Sequence, residues 1–125
     1  MVRPWPVVAS MLLAGVAAEA HHSVLGFDGA RPVTLRGVVA EVVWRNPHTY
    51  IAIDVAEGGE RGRWLIESES PIVLHRLGWA STSVQPGDRI VSVGGSNRQG
   101  DRVIRCQSVT TAKGVKLPCY PARTQ

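Results

Sequence analysis

The sequence of 125 residues lacks the local motifs by which many enzymes and nucleotide-binding proteins are identified. It has no phosphate-binding loop, no nucleophile elbow and no metalloprotease signature. Ser, His and Asp are all present, but their spacing alone does not make a catalytic triad. No internal repeat or low-complexity segment is visible. These absences favour a non-enzymatic protein.

A concentrated basic patch is also missing. The formal net charge is +4, from 14 Lys and Arg against 10 Asp and Glu. The basic residues are scattered, with no run of them on one predicted element, whereas nucleic-acid-binding domains cluster them on one face. We therefore expect no nucleic-acid partner.

The chain has no hydrophobic run of bilayer length. Its longest apolar stretch, 7–18, has about twelve residues, and a spanning helix needs about twenty. Arg3 precedes this stretch and Ala18-Glu19-Ala20 ends it, which is the pattern of a signal peptide over 1–20. We expect cleavage after Ala20, a periplasmic or secreted bacterial protein, and no stable membrane insertion after cleavage. An uncleaved anchor and a cut after Ala18 are the alternatives.

About a hundred residues remain after the signal peptide, enough for one domain with a modest core. We expect an N-terminal arm at 21–31, a small β-barrel domain at 32–117 and a C-terminal tail at 118–125. Apolar residues alternate with polar ones through most of the barrel segment. This alternation predicts strands at 32–45, 48–55, 63–68, 89–94 and 102–111, and a short final strand at 115–117.

One segment changes period and predicts a short helix. Ser70 is a suitable N-cap, Pro71 suits the first helical turn, and Gly78 can end the helix, with Trp79 folding back toward Leu74. The order β-β-β-α-β-β predicts an all-β protein with one short helix, a five-stranded OB-type Greek-key barrel. A slip in the alternation predicts a bulge or bend at Gly37 in its first strand. An open sandwich and an SH3-like roll are the alternatives.

Several motifs together resemble a known family of small exported bacterial proteins. They are His21-His22-Ser23, Val33-Thr34-Leu35-x-Gly37, Trp44-x-Asn46-Pro47-His48, Trp64-x-x-Glu67, Pro71-x-x-Leu74-x-Arg76-x-Gly78-Trp79 and Pro86-Gly87-Asp88. The family is the domain of unknown function numbered 6152, and the resemblance covers nearly all of the mature chain. It implies periplasmic residence and a small β-barrel, and it implies no activity. Cys119 has no counterpart in the family pattern.

Cysteine is scarce: the sequence has two, Cys106 and Cys119. In an oxidising compartment such a pair is more often bridged than free. The bridge would tie the tail to the fifth strand, and two unpaired thiols are the alternative. The spacing is not C-x-x-C, which argues against a thiol oxidoreductase.

Histidine is the sharper feature. Cleavage after Ala20 would place a free amine and the His21 imidazole at the new terminus, and His48 could add a second imidazole. Three nitrogens of this kind suit Cu(II). His22 offers a different chelate, through the amine, an amide nitrogen and its own imidazole. These residues predict a copper-binding module, and a copper oxidase-like enzyme is the alternative that the same nitrogen ligands would permit. His48 could instead only hydrogen-bond across the barrel mouth, and His75 is expected at the surface.

The outward face of the second and third strands is the other candidate site. OB-type barrels bind ligands there, and here it would carry Tyr50, Arg63 and Glu67 beside His48. Glu67 and Glu69 should face the same way, with Arg76 as a possible partner of Glu67. This face predicts an alternative function, a metal-independent cell-envelope module that binds a peptide, glycan or partner protein.

Overall fold

The computed structural model describes residues 26–121. This part of the chain contains six strands and one short helix, joined by turns and loops. In chain order they are β1 (Phe27–Val43), β2 (Tyr50–Val55), β3 (Gly62–Glu67), α1 (Pro71–Arg76), β4 (Arg89–Asn97), β5 (Val103–Thr110) and β6 (Lys116–Pro118). The predicted all-β class is confirmed, with one short helix between the third and fourth strands. The short sixth strand follows the five that the barrel prediction counts.

The strands form one sheet in the order β3-β2-β1-β4-β5-β6. An additional parallel pairing joins Leu65–Glu67 of β3 to Val103–Arg105 of β5. Because β3 and β5 are the first and last strands of the run β3-β2-β1-β4-β5, this pairing closes the five strands into a ring. The β3–β5 contact brings together residues almost forty positions apart in sequence, and the candidate site depends on it.

β1 is long because it serves two neighbours. Its first part pairs with β4, from Phe27 opposite Asn97 to Val38 opposite Arg89, and its last part pairs with β2. The strand begins five residues before the predicted start at 32, so Phe27–Arg31 of the predicted arm belongs to the sheet. A register shift between Asp28 and Pro32 interrupts the alternation of apolar and polar residues, so the alternation did not predict the start of this strand.

The predicted bulge at Gly37 is wrong in position. Gly37 lies in register, opposite Ile90, and the shift falls between Val39 and Glu41. The glycine has a different role, because a Cβ at this position would lie 2.6 Å from the backbone oxygen of Asp54. Its lack of a side chain lets β1 and β2 approach each other closely.

The core follows the predicted alternation of β2 and β3. Thr49, Ile51, Ile53 and Val55 are buried, as are Trp64 and Ile66. The other buried apolar side chains are Leu35, Val39, Leu74, Trp79, Val84, Ile90, Ile104, Cys106, Val109, Leu117 and Cys119. Because the inward residues of β2 and β3 fill this core, the alternate residues project outward and are free to build a site.

The helix α1 buries Leu74 and ends as predicted. Gly78 adopts a φ of +95°, and the amide of Trp79 donates to the oxygen of Leu74 at 3.0 Å. Ser70 precedes the helix, but its side chain makes no capping hydrogen bond. Within residues 26–121, no helix combines the length and hydropathy needed to cross a membrane.

The predicted bridge between Cys106 and Cys119 is present and joins β5 to the segment after β6. The same segment is held by backbone groups. The amide of Cys119 donates to the oxygen of Gln107 at 3.0 Å, and the indole of Trp79 donates to the oxygen of Pro118 at 2.8 Å. The bridge and these bonds lay the end of the described chain against β5 and fix the position of Tyr120, the residue after Cys119.

Candidate functional site

The outward face of β2 and β3 has two polar ends. Tyr50 lies opposite Glu67 at one end of the ladder, and Asp54 lies opposite Arg63 at the other. The two ends are four residues apart along the strands, about 13 Å at the usual rise. The fold therefore brings Tyr50 and Glu67 together and places Arg63, the third residue predicted for this face, at a separate position.

His48 joins the Tyr50 end because the ladder continues past the strand. The amide of Ser68 donates to the oxygen of Thr49 at 2.9 Å, and the amide of Thr49 donates to the oxygen of Glu69 at 3.1 Å. These two bonds hold Thr49, the residue after His48, against Ser68 and Glu69. As a result, Nδ1 of His48 lies 3.5 Å from Oε1 of Glu67. The His48 ring also stands edge-on to the Tyr50 ring, with centroids 6.4 Å apart.

Glu67 and Glu69 share one arginine. Nη1 of Arg105 donates to Oε1 of Glu67 and Nη2 donates to Oε1 of Glu69, each at 2.7 Å. Arg105 comes from β5, where it lies opposite Glu67 in the parallel pairing. Its side chain is 8% exposed and that of Glu67 is 12% exposed. Two short charge-assisted bonds compensate the removal of these charges from water.

Tyr120 completes the arginine's surroundings. Nε of Arg105 donates to the Tyr120 hydroxyl at 2.6 Å, and the guanidinium carbon lies 5.3 Å from the centre of the Tyr120 ring. Cys119 is the neighbour of Tyr120 and Cys106 is the neighbour of Arg105, so the disulfide fixes the two side chains against each other. We call the group Arg105, Glu67, Glu69 and Tyr120 the carboxylate clamp.

Burial and charge shift the ionisation of the clamp. Burial raises the pKa of Tyr120 above its ordinary value, outweighing the lowering effect of Arg105. Burial alone would lower the pKa of Arg105. The raising effects of Tyr120 and the two carboxylates outweigh it, so the pKa lies above its ordinary value and the guanidinium stays charged. Burial and the nearby Glu67 also raise the pKa of Tyr50, which remains a neutral phenol at pH 7.

The Arg63 end of the face is built differently. Nε and Nη2 of Arg63 donate to the two carboxylate oxygens of Asp54 at 2.5 and 2.9 Å. Both side chains are more than half exposed, 62% for Arg63 and 54% for Asp54. The hydrogen bonds from Arg63 lower the pKa of Asp54 below its ordinary value. The two side chains bind each other in solvent, and neither contacts a residue of the carboxylate clamp.

Of the three predicted metal ligands, the structure describes one, His48. His21 and His22 lie outside residues 26–121, as does the predicted signal peptide. Among the described residues, no group of three or more His, Cys, Asp or Glu side chains is placed to hold a metal ion. His48 offers a single ligand atom. Because its Nδ1 faces Glu67, the other ring nitrogen, Nε2, is the one left for an external partner.

The sequence did not point to two of the four clamp residues. The predicted same-side placement of Glu67 and Glu69 agrees with their common partner, but that partner is Arg105 and not Arg76. Arg76 is exposed on α1. Arg105 stands between two inward residues of β5, so alternation placed it outward and gave no sign of burial. The only available signal was that Arg105 and Tyr120 directly flank the two cysteines.

Comparison with known proteins identifies a family and no activity. A model described as a family of unknown function, DUF6152, matches residues 9–105. The matched residues include His48, Glu67, Glu69 and Arg105, whereas Cys106, Cys119 and Tyr120 lie beyond them. No curated protein matches the chain.

Proposed function

Because the chain belongs to DUF6152, a family of unknown function, we propose a function from its own residues: an exported, non-enzymatic module that binds copper(II). His48 is the ligand from the folded domain. The amine and imidazole of His21 are the other ligands, after cleavage behind Ala20. His22 is the reserve ligand for the same ion.

The observation that supports this proposal most is the contact between Nδ1 of His48 and Oε1 of Glu67, 3.5 Å apart. Histidines that bind metals usually present one ring nitrogen to the ion and direct the other to a carboxylate or carbonyl, which orients the ring and raises its basicity. His48 is 24% exposed and Glu67 is 12% exposed. The carboxylate therefore contacts one ring nitrogen, and Nε2 remains as the donor of a side chain that is partly exposed.

The donor set favours copper over other ions. One amine and two imidazoles give three nitrogen ligands, and Cu(II) binds nitrogen most tightly among the divalent first-row metals. Hard cations such as Ca²⁺ and Mg²⁺ prefer six or more oxygen ligands. The set is too small for them and contains no oxygen donor.

The test begins with the amino terminus itself. The chain is expressed with residues 1–20, purified from the periplasm and subjected to amino-terminal sequencing, for which we expect His21. Electron paramagnetic resonance of the Cu(II)-loaded protein should then show three coupled nitrogens, and His48→Ala should remove one. His75→Ala is the matched control, because His75 lies on α1 and contacts the backbone oxygen of Trp79.

A residue added ahead of His21 provides the second control. It displaces the amine from the imidazole and should abolish the chelate while leaving the fold intact. If the native terminus is another residue, or if His48→Ala leaves the nitrogen couplings unchanged, the proposal is wrong.

A second candidate function rests on the middle of the face. Ala52 pairs with Leu65 between the Tyr50 end and the Arg63 end, and both are half-buried. An apolar patch between two polar ends suits a peptide, a glycan or a partner protein bound without metal. Panels of peptides and glycans, screened in the presence of a chelator, test it. A ligand lost in Tyr50→Ala supports this function, and ligands that are all unaffected by Tyr50→Ala exclude the face.

A further inference from the structure

Glu67 and Glu69 differ in one contact. Oε1 of Glu67 meets both Nη1 of Arg105, at 2.7 Å, and Nδ1 of His48, at 3.5 Å. Oε1 of Glu69 meets Nη2 of Arg105 at the same 2.7 Å. Each carboxylate therefore neutralises the same buried guanidinium, and Glu67 alone of the two also faces the imidazole.

We infer that Glu67 is a positioning residue that sets the tautomer of His48, and that Arg105 keeps both carboxylates from serving as metal ligands. Nδ1 of His48 lies 3.5 Å from a carboxylate oxygen, and the negative charge there favours a proton over a lone pair on the nitrogen that faces it. His48 in its neutral form then has a protonated Nδ1 and an unshared electron pair on Nε2. Only the identity of the external ligand rests on the proposed function.

The position of Glu67 is fixed from several sides. Its backbone is held in the β2–β3 ladder opposite Tyr50 and in the parallel pairing opposite Arg105. Its carboxylate is bound by Arg105, which is itself held by Glu69, Tyr120 and the neighbouring disulfide. A carboxylate held at this many points has little freedom to turn away from His48 toward an ion.

This arrangement determines the class of ligand. One oxygen of each glutamate already makes a short bond to a charged guanidinium, so a cation approaching either carboxylate would also be repelled by Arg105. The donor that remains is Nε2 of His48, the ring nitrogen that does not face Glu67, on a side chain that is partly exposed. The site therefore selects borderline metal ions that accept nitrogen, of which Cu(II) is the strongest, and rejects Ca²⁺ and Mg²⁺.

The experiment uses the metal-free protein first. Long-range nitrogen–proton correlation spectra of ¹⁵N-labelled protein at pH 8 report which nitrogen of His48 carries the proton. We expect a protonated Nδ1 in the wild type and in Glu69→Ala, and a change toward a protonated Nε2 in Glu67→Ala. Both variants remove one carboxylate from Arg105 and leave the other, so they share the cost in clamp stability. A wild-type His48 protonated on Nε2 overturns the inference without recourse to any variant.

Cu(II) and Ca²⁺ titrations provide the second readout. Glu67→Ala should weaken Cu(II) binding by roughly 10- to 100-fold, the usual effect of removing a partner behind a metal-binding histidine. Glu69→Ala should have a much smaller effect, and Ca²⁺ should move neither glutamate's carboxylate resonance in the wild type. A Ca²⁺-dependent movement of those resonances contradicts the role given to Arg105.

The two proposals fail separately. If His48→Ala leaves Cu(II) affinity unchanged while the tautomer is as expected, copper binding is wrong and the positioning role stands. If His48→Ala weakens Cu(II) binding but Glu67→Ala and Glu69→Ala behave alike, the proposed function stands and the role of Glu67 is wrong.

Discussion

Arg105 and Arg63 both bind carboxylates across neighbouring strands, one at each end of the same face, but in opposite surroundings. Arg105 is 8% exposed and has three partners from two distant parts of the chain: Glu67 and Glu69 at and just after the end of β3, and Tyr120 after β6. Arg63 is 62% exposed and has one partner, Asp54, on the adjacent strand. The bond lengths are similar, so distance does not separate the two arginines.

Burial decides which of these charged pairs has consequences for its surroundings. Solvent competes for Arg63 and Asp54, so their pairing contributes little to stability and fixes little around it. Water is largely excluded from Arg105, so every one of its partners is needed to offset the loss of hydration. The buried arginine therefore holds several side chains in one geometry, and His48 lies at the edge of that geometry.

Removing the buried arginine should cost the most stability. Arg105→Ala leaves two carboxylates facing each other without a cation, and we expect a loss of about 3–5 kcal/mol in the free energy of unfolding. Arg63→Ala should leave that free energy unchanged within error. Urea unfolding followed by tryptophan fluorescence measures both. Equal losses in the two variants would show that burial does not distinguish the two ends.

Removal of the disulfide should rank second. Cys106 and Cys119 are 13 positions apart, and loss of a bridge that closes a loop of this size costs about 3 kcal/mol. The paired replacement of both cysteines by alanine avoids a free thiol. The chemical shifts of His48 should change with it, because Tyr120 loses its anchor, and those of Asp54 should not. A variant in which only Asp54 responds would contradict the order of contacts.

A smaller loss is expected for Tyr120→Phe, which keeps the ring over Arg105 and removes the hydroxyl. A hydrogen bond from a charged donor contributes about 1.5 kcal/mol. Burial raises the pKa of Tyr120, so the folded state holds the phenolic proton more tightly than the unfolded state. Stability should therefore fall as the pH rises above the ordinary value of 10.0. Tyr120→Phe should reduce this fall. If the free energy of unfolding of the variant decreases at high pH as much as that of the wild type, Tyr120 is not the source of the decrease.

The exposed pair at Asp54 should respond least. The hydrogen bonds from Arg63 lower the pKa of Asp54 below the ordinary 3.8, so its contribution to stability is present above that value and is lost as the pH falls. Carboxyl-carbon NMR should give Asp54 a pKa below 3.8, and Arg63→Ala should return it to the ordinary range. No movement on this substitution would show that the pair does not form in solution.

Alternation along the strands predicted most of the fold. The inward positions of Thr49, Ile51, Ile53 and Val55 were predictable because a strand buries every second residue, and the helix was predictable from Pro71 and Gly78. The start of β1 was not, because the register shift between Asp28 and Pro32 breaks the period where the strand begins.

The site was only half predictable for a different reason. Tyr50 and Glu67 lie on consecutive strands and His48 lies two residues before the first of them, so local pairing brings the three together. Arg105 reaches Glu67 through a parallel pairing of non-consecutive strands, and Tyr120 reaches Arg105 through the path of the tail after β6. Neither contact leaves a periodic pattern in the sequence, and the burial of Arg105 depends on both.

Copper binding at His48 is tested most directly by a competition titration of Cu(II) into the protein that begins at His21. His48→Ala and His75→Ala are compared with the wild type against the same chelator at neutral pH. We predict that His48→Ala weakens binding by more than the roughly 10- to 100-fold expected for a supporting residue, and that His75→Ala has no effect. Equal affinities in all three proteins would contradict a copper site at His48.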